Sequence, residues 1–322
     1  LTRYYVFNGD ADGLCALQQL RLERPGPGTL VTGVKRDIEL LARVNAQAGD
    51  ECYVLDVSLD VNRAGLVAAL TAGAKVRYFD HHHAGLVPND ANLEPYLDPA
   101  PNVCTSLLVD RYLEGRRRTW AIVGVFGDSL TEEGKTLAAA AGLGADDTAT
   151  LKDLGVCINY NAYGETLEDL HVPPAVLAEE MLPFADPLDF ARRSDTFRRL
   201  QAGYAKDMEL AARLEPTKQA PGAVLFVLPD QAWARRASGT LANDLAKAHA
   251  ASAVAIVSPK AQGGYLVSLR VPRDSAVSAE SFCRRFPTGG GRKTAAGINH
   301  LPGPELESFA RDFAEQFKPG SV

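Results

Sequence analysis

Four short β-rich runs alternate with helical stretches over the first eighty residues, and this alternation restricts the fold more than any other feature. Tyr4–Asn8 reads as a strand, and Leu14, Leu17, Leu20 and Arg21 begin an amphipathic helix that stops before Pro25-Gly26-Pro27-Gly28. Leu30–Val34 reads as a second strand, followed by a helix over Ile38–Asn45 with Leu40, Leu41 and Val44 on one face. Cys52–Leu55 is a third strand ending at Asp56, then comes a helix over Val61–Ala72 closed by Gly73. Lys75–Phe79 is a fourth, ending at Asp80. Strands and helices at this spacing form βαβ units with right-handed crossovers, so the expected class is α/β with a parallel sheet.

Acidic side chains stand where these strands end. Asp10 and Asp12 follow the first, Asp56 the third, and Asp80-His81-His82-His83 the fourth. In an open parallel sheet the ligand crevice lies beyond the carboxyl ends of the strands, so these groups are aimed at one crevice. Each also has an ordinary explanation. Asp12 suits an N-cap, although capping does not need Asp10. Asp56 suits a turn, and Asp128, directly after Val125-Phe126-Gly127, suits a cap for the segment beginning at Ser129. Three adjacent histidines suit a solvated turn. Together, however, four acids and a histidine on one face repel one another unless something positive sits between them. Imidazole and carboxylate are ligands that divalent transition metals favour. Two such ions about 3.5–4 Å apart, activating a water for in-line attack on phosphorus, would meet the need, with Asp56 as the bridging candidate.

At 322 residues the chain is too long for one small core, and two domains are the natural division. Residues 103–180 read as mostly helical. Asp189–Leu214 is polar, rich in Arg and Glu, and lacks a Gly/Ser or Pro tract, so it reads as a connecting helix. The expected boundaries are a metal-binding domain over 1–187, a connecting helix over 188–218 and a smaller α/β domain over 219–322. In the last, Ala223–Leu228, Ala253–Ser258 and Tyr265–Val271 read as strands, with helices at Arg236–Ala250 and Glu305–Phe317.

The formal charge of −6 argues against a protein that grips a long duplex by neutralising phosphates. Any nucleic-acid ligand is expected to be short and held at a focused site. The five cysteines are scattered, never in C-x-x-C spacing, and read as buried thiols. No apolar run reaches the length of a membrane helix and the start lacks a signal-peptide pattern, so the expectation is a cytoplasmic protein with no membrane partner. A homodimer is compatible with all of this.

A second cluster lies at Gly289-Gly290-Gly291-Arg292-Lys293. Three glycines permit positive φ and let backbone N–H groups approach an anion, although a plain flexible loop explains a bare Gly-Gly-Gly as well. Arg292 and Lys293 tip the reading toward a phosphate or a 5′-terminal nucleotide.

The set Asp10-Ala11-Asp12-Gly13, Asp56, Asp80-His81-His82 and Asp128 resembles the four motifs of the DHH phosphoesterase superfamily. Thr288-Gly289-Gly290-Gly291-Arg292-Lys293-Thr294-Ala295-Ala296-Gly297 is similar to the GGGH-x-x-AAG signature of the associated C-terminal domain. The two occur in the expected order, and the likeness is to the oligoribonuclease and nanoRNase type of member. The resemblance implies two lobes with a cleft between them. It implies two divalent ions, usually manganese with magnesium or cobalt as alternatives: Asp10 and Asp56 on one, and Asp12, Asp56, His81 and Asp128 on the other. Asp80 would orient His81, and His82 would meet the scissile phosphate as hydrogen-bond donor or general acid. Ser268 and Arg270, in Ser268-Leu269-Arg270, would face the substrate from a strand. His83 has no role in the pattern.

Two departures stand out. Many members carry a His three or four residues before the first Asp; here those positions are Val6 and Phe7, and Asn8 is the nearest polar side chain, facing metal or substrate. Arg292 replaces the His of the glycine-rich motif, which keeps an anion grip but removes a proton-transfer group. The implied activity is hydrolysis of short single-stranded oligonucleotides or linear dinucleotides to mononucleotides. Polyphosphate or pyrophosphate hydrolysis, 3′-phosphate removal from adenosine bisphosphate, and cyclic dinucleotide hydrolysis are alternatives. A nucleotide-binding regulator with a weakened metal site is the non-enzymatic one.

Overall fold

The computed structural model describes residues 1–319, which fall into two compact units, Leu1–Gly203 and Tyr204–Val322. In the first, β1 (Arg3–Phe7), α1 (Ala11–Glu23), β2 (Thr29–Val31), β3 (Glu51–Leu55), α2 (Leu59–Thr71), β4 (Lys75–Asp80) and β5 (Leu93–Leu97) follow in order. The strands form one parallel sheet in the order β2-β1-β3-β4-β5. Val6, Val54, Val76 and Tyr78 pack on one face against Leu59, Leu66 and Leu70 of α2 and beside it.

Two local expectations differ. The stretch Ile38–Asn45 is a loop with a single 3-10 turn at Leu41–Arg43. Its apolar residues still reach the core, with Leu40 and Leu41 buried. The Asn62 amide of α2 replaces helical hydrogen bonds by accepting from Leu41 N (3.0 Å) and donating to Ile38 O (2.7 Å). The fifth strand, β5, carries Pro95 and lies at the sheet edge, where a missing N–H is tolerated. That proline is why its sequence does not read as a strand.

The helices α3 (Thr105–Tyr112), α4 (Arg118–Gly127), α5 (Thr131–Ala140), α6 (Ala145–Asn161) and α7 (Pro174–Met181) follow. The apolar run Trp120–Phe126 forms most of α4, buried along its whole length, and the Trp120 indole N–H is satisfied by Phe184 O at 3.1 Å. The polar stretch expected as one connecting helix is two, α8 (Pro187–Arg193) and α9 (Asp195–Ala211). Ser194 separates them, its side chain accepting from Phe197 N at 3.2 Å as a helix start requires. The unit boundary, Gly203 to Tyr204, falls within α9.

The second unit contains β6 (Lys218–Ala220), β7 (Ala223–Val227), α10 (Ala232–Ala248), β8 (Ala253–Pro259), β9 (Tyr265–Arg270), α11 (Ala279–Cys283), β10 (Gly289–Gly291), β11 (Ala295–Leu301) and α12 (Leu306–Gln316). Its sheet runs β10-β11-β9-β8-β7-β6, antiparallel except between β7 and β8. One face carries a cluster of Phe282, Phe309 and Phe313; the other is covered by Ala234, Ala237 and Leu241 of α10. All five cysteines are buried free thiols. Among the described residues no helix is long and apolar enough to cross a membrane.

Candidate metal centre

In a sheet of order 2-1-3-4-5 the chain leaves β1 toward one side and β3 toward the other, which opens a crevice at their carboxyl ends. Asp10 and Asp12 follow β1, Asp56 follows β3, and His81 and His82 follow β4. Asp128 joins them from the C-terminal end of α4.

Asp10 caps α1, its Oδ1 accepting from Asp12 N and Gly13 N, both at 3.1 Å. Its Oδ2 meets the ammonium of Lys35 at 2.5 Å. Asp12 points to the start of α3, where Thr105 N donates to Oδ2 and Ser106 N to Oδ1, each at 2.7 Å. These are open donors of a helix N-terminus, and a carboxylate is their natural acceptor. Asp56 has a left-handed backbone, φ 59°, and its N–H donates to Phe79 O at 3.0 Å. Its Oδ1 accepts from Thr105 Oγ1 at 3.3 Å and lies 3.4 Å from His81 Nε2.

The histidines correct one expectation. Asp80 holds His82, not His81: Asp80 Oδ1 lies 2.6 Å from His82 Nδ1. Alternate residues at a strand end share a side, so residue 80 reaches 82. His81 is oriented by Val103 O, 2.9 Å from its Nδ1. A carbonyl only accepts, so Nδ1 carries a proton, and Nε2 is the ring atom that faces Asp56. His83 is exposed, and Asn8 is buried, its Nδ2 donating to Lys35 O at 3.4 Å.

Two groups of ligand atoms result, each within 4.8 Å: Asp56, His81 and His82, and Asp12, His81 and Asp128. Their electrostatics separates the carboxylates. Burial pushes the Asp10 carboxyl up, but the charge and hydrogen bond of Lys35 more than reverse this, and it lies below its ordinary value. Burial and the charges of Asp10 and Asp12 hold Asp56 well above it. Asp128 is pushed up to about 8, first by burial and then by Asp12 and Asp10. Asp128 also sits at the negative end of a helix, which disfavours its charge further. Asp80 Oδ2 is buried without a hydrogen-bond partner among the described residues. The carboxylates of Asp12, Asp56 and Asp128, none of them ion-paired with a lysine or arginine among the described residues, are together with His81 a donor set that fits a divalent ion of the manganese or magnesium kind.

Lys35, Asn159 and Tyr163 complete the crevice. Lys35 Nζ donates to Asn159 Oδ1 at 3.0 Å and lies 5.2 Å from the centre of the Tyr163 ring. Sequence reasoning missed Lys35, although it follows β2 and the same strand-end rule applies to it. It also missed Thr105 and Ser106, whose bonds to the Asp12 carboxylate come from backbone N–H groups and leave no residue-type signal. Tyr160 is a packing residue, buried with its hydroxyl 2.9 Å from His171 Nε2.

In the second unit the glycine cluster is an edge strand rather than a loop. Gly290 pairs with Gly297, which pairs with Ser268, so two residues without side chains and a serine share a row. Space above Gly290 is open, whereas a Cβ at Gly289 would lie 1.7 Å from Cys283 O. Arg292 and Lys293 are exposed, with no side-chain partner among the described residues. Arg270 reaches Asn243 Oδ1 at 3.3 Å. The arginines of Arg116-Arg117-Arg118 are engaged by Glu23 and Asp110.

No family model matches the chain, nor does any curated protein. Solved structures do. The chain is similar to exonuclease RecJ bound to manganese, at 19% identity and TM-score 0.60, over 97% of this chain and 89% of that one. RecJ from Thermus thermophilus, in complex with Mn2+, matches at 19% identity and TM-score 0.59; 97% of this chain covers 51% of that protein, about half its length. The pGpG-specific phosphodiesterase PggH from Vibrio cholerae matches at 14% identity and TM-score 0.55, over 98% of this chain and 99% of that one. With its parallel 2-1-3-4-5 sheet and its mixed second sheet, the chain shares the fold of RecJ and PggH.

Proposed function

We propose that this chain is a divalent-metal-dependent phosphodiesterase that hydrolyses short single-stranded oligonucleotides or linear dinucleotides to mononucleotides. The observation that carries the reading is the convergence of Asp12, Asp56, His81, His82 and Asp128 beyond the carboxyl ends of the strands, with His81 Nδ1 held by Val103 O. A bound divalent ion supplies the charge that activates water and stabilises the phosphoryl oxygens. The chain's own groups do the rest. Asp12 and Asp128 would hold the ion with His81, and α3 fixes the Asp12 carboxylate through two backbone N–H bonds. Asp80 grips His82 Nδ1, and that hydrogen bond first of all raises the His82 pKa, so the ring offers an Nε2 proton to the phosphate or the leaving oxygen. Arg292 and Lys293, with the bare strip at Gly290 and Gly297, give the second unit a surface for a phosphate. A dinucleotide-sized substrate is favoured by the full-length likeness to a pGpG-specific phosphodiesterase and by the acidic net charge.

The test is release of labelled mononucleotide from a 5′-labelled dinucleotide in the presence of manganese, with polyphosphate and adenosine bisphosphate in parallel. Turnover of the dinucleotide above the other two is expected. Absence of mononucleotide release with manganese, magnesium and cobalt would overturn the reading. The Arg292→Ala/Lys293→Ala variant is expected to raise KM by about ten- to a hundred-fold with kcat little changed, the scale of losing a charged hydrogen bond.

A further inference from the structure

One charged side chain in the crevice has no part in the scheme above. Lys35 donates to Asp10 Oδ2 and Asn159 Oδ1 and stands against the face of Tyr163, so its three N–H groups have three receivers. Its main chain is tied on both sides, the N–H to Ala162 O at 3.0 Å and the carbonyl to the Asn8 amide. The side chain is about a quarter exposed, which leaves it held rather than waving in solvent.

Asp10 tells the same story from the other partner. Both of its oxygens are occupied, one by Asp12 N and Gly13 N and the other by Lys35. Among the described residues it belongs to neither group of three ligand atoms. Val6 and Phe7, upstream on β1, are buried and offer no ligand, and Asn8 is turned to the Lys35 carbonyl. The ammonium therefore occupies the one oxygen left to Asp10, the carboxylate expected to hold one of two divalent ions.

We propose that the ammonium of Lys35 is a built-in substitute for that ion, and that the chain holds a single divalent ion, on Asp12, Asp56, His81 and Asp128. The proposal rests on the reading of the crevice as a metal-dependent phosphoesterase centre and narrows it. An ammonium balances one carboxylate and carries no exchangeable water, so Asp10 and Lys35 form a fixed wall of the site. Asn8, Asn159 and Tyr163 are then positioning residues for that wall.

The experiment is a metal count on the full chain equilibrated with manganese and freed of excess, by elemental analysis, together with its electron paramagnetic resonance spectrum. One manganese per chain with the spectrum of an isolated ion is expected. Lys35→Gln, which removes the charge and leaves an oxygen ligand, is expected to take up a second ion and show a spin-coupled spectrum. Two coupled ions in the unaltered chain would overturn the proposal, whatever the variant does. One ion in both proteins would overturn it as well. No bound manganese in either would remove the metal-dependent reading itself, an outcome distinct from the other two.

Discussion

A single carboxylate, Asp12, joins the start of α3 to the candidate metal centre. Its two oxygens each receive one N–H at 2.7 Å, so its value depends on both being acceptors. Asparagine keeps the shape but turns one NH2 toward a donor. Asp12→Asn is therefore expected to lose about 1–3 kcal/mol of stability through a stranded buried N–H, read as a lower urea midpoint, and to bind manganese more weakly. An unchanged midpoint would mean that the start of α3 finds another partner. That acids and imidazoles gather beyond the strand ends was legible in the sequence, because the carboxyl ends of parallel strands face one crevice. The partners that aim them were not. Val103 O, Thr105 N and Ser106 N are main-chain atoms, and whether Asp80 serves His81 or His82 is decided by the pleat rather than by adjacency.

At the scale of elements, Asp128 reaches the crevice only because α4 lies very close to α1. A Cβ built at Gly127 would come within 2.3 Å of the Ala11 Cβ, far inside contact distance. Gly127→Ala is expected to force the two helices apart, at about 1–3 kcal/mol, and to carry Asp128 away from Asp12. Chemical denaturation measures the first effect and manganese affinity the second; a variant with native values for both would show that α4 can shift at no cost. The strands β1, β3 and β4 were readable because buried parallel strands are short apolar runs ending in polar turns. The stretch 38–45 was not, because its leucines have helical spacing while Asn62, distant in sequence, supplies the hydrogen bonds of a loop. In the second unit, β10 is nearly all glycine, and only its register with β11 makes it a strand.

For the whole chain, the ligands come from strands and a helix far apart in sequence, so the unfolded chain has no such site. An ion that binds only the folded first unit must stabilise it. At a manganese concentration a hundred times its dissociation constant the gain is about 2.7 kcal/mol, and it vanishes on chelation. A thermal melt with manganese against one with chelator checks this; superimposable curves would mean that the carboxylates do not gather an ion. The α/β class was visible from the alternation of strands and helices. The boundary inside α9 was not, since a helix that runs from one unit into the next changes neither composition nor periodicity there.

The left-handed backbone at Asp56 has a consequence for how such a chain can drift. A φ of 59° costs an L-residue about 1–2 kcal/mol, while glycine adopts it freely. Substitution guided by durability alone therefore runs toward glycine at this position, and only the use of the carboxylate opposes it. A descendant that no longer used this carboxylate would be expected to shed its acid here before it lost its shape.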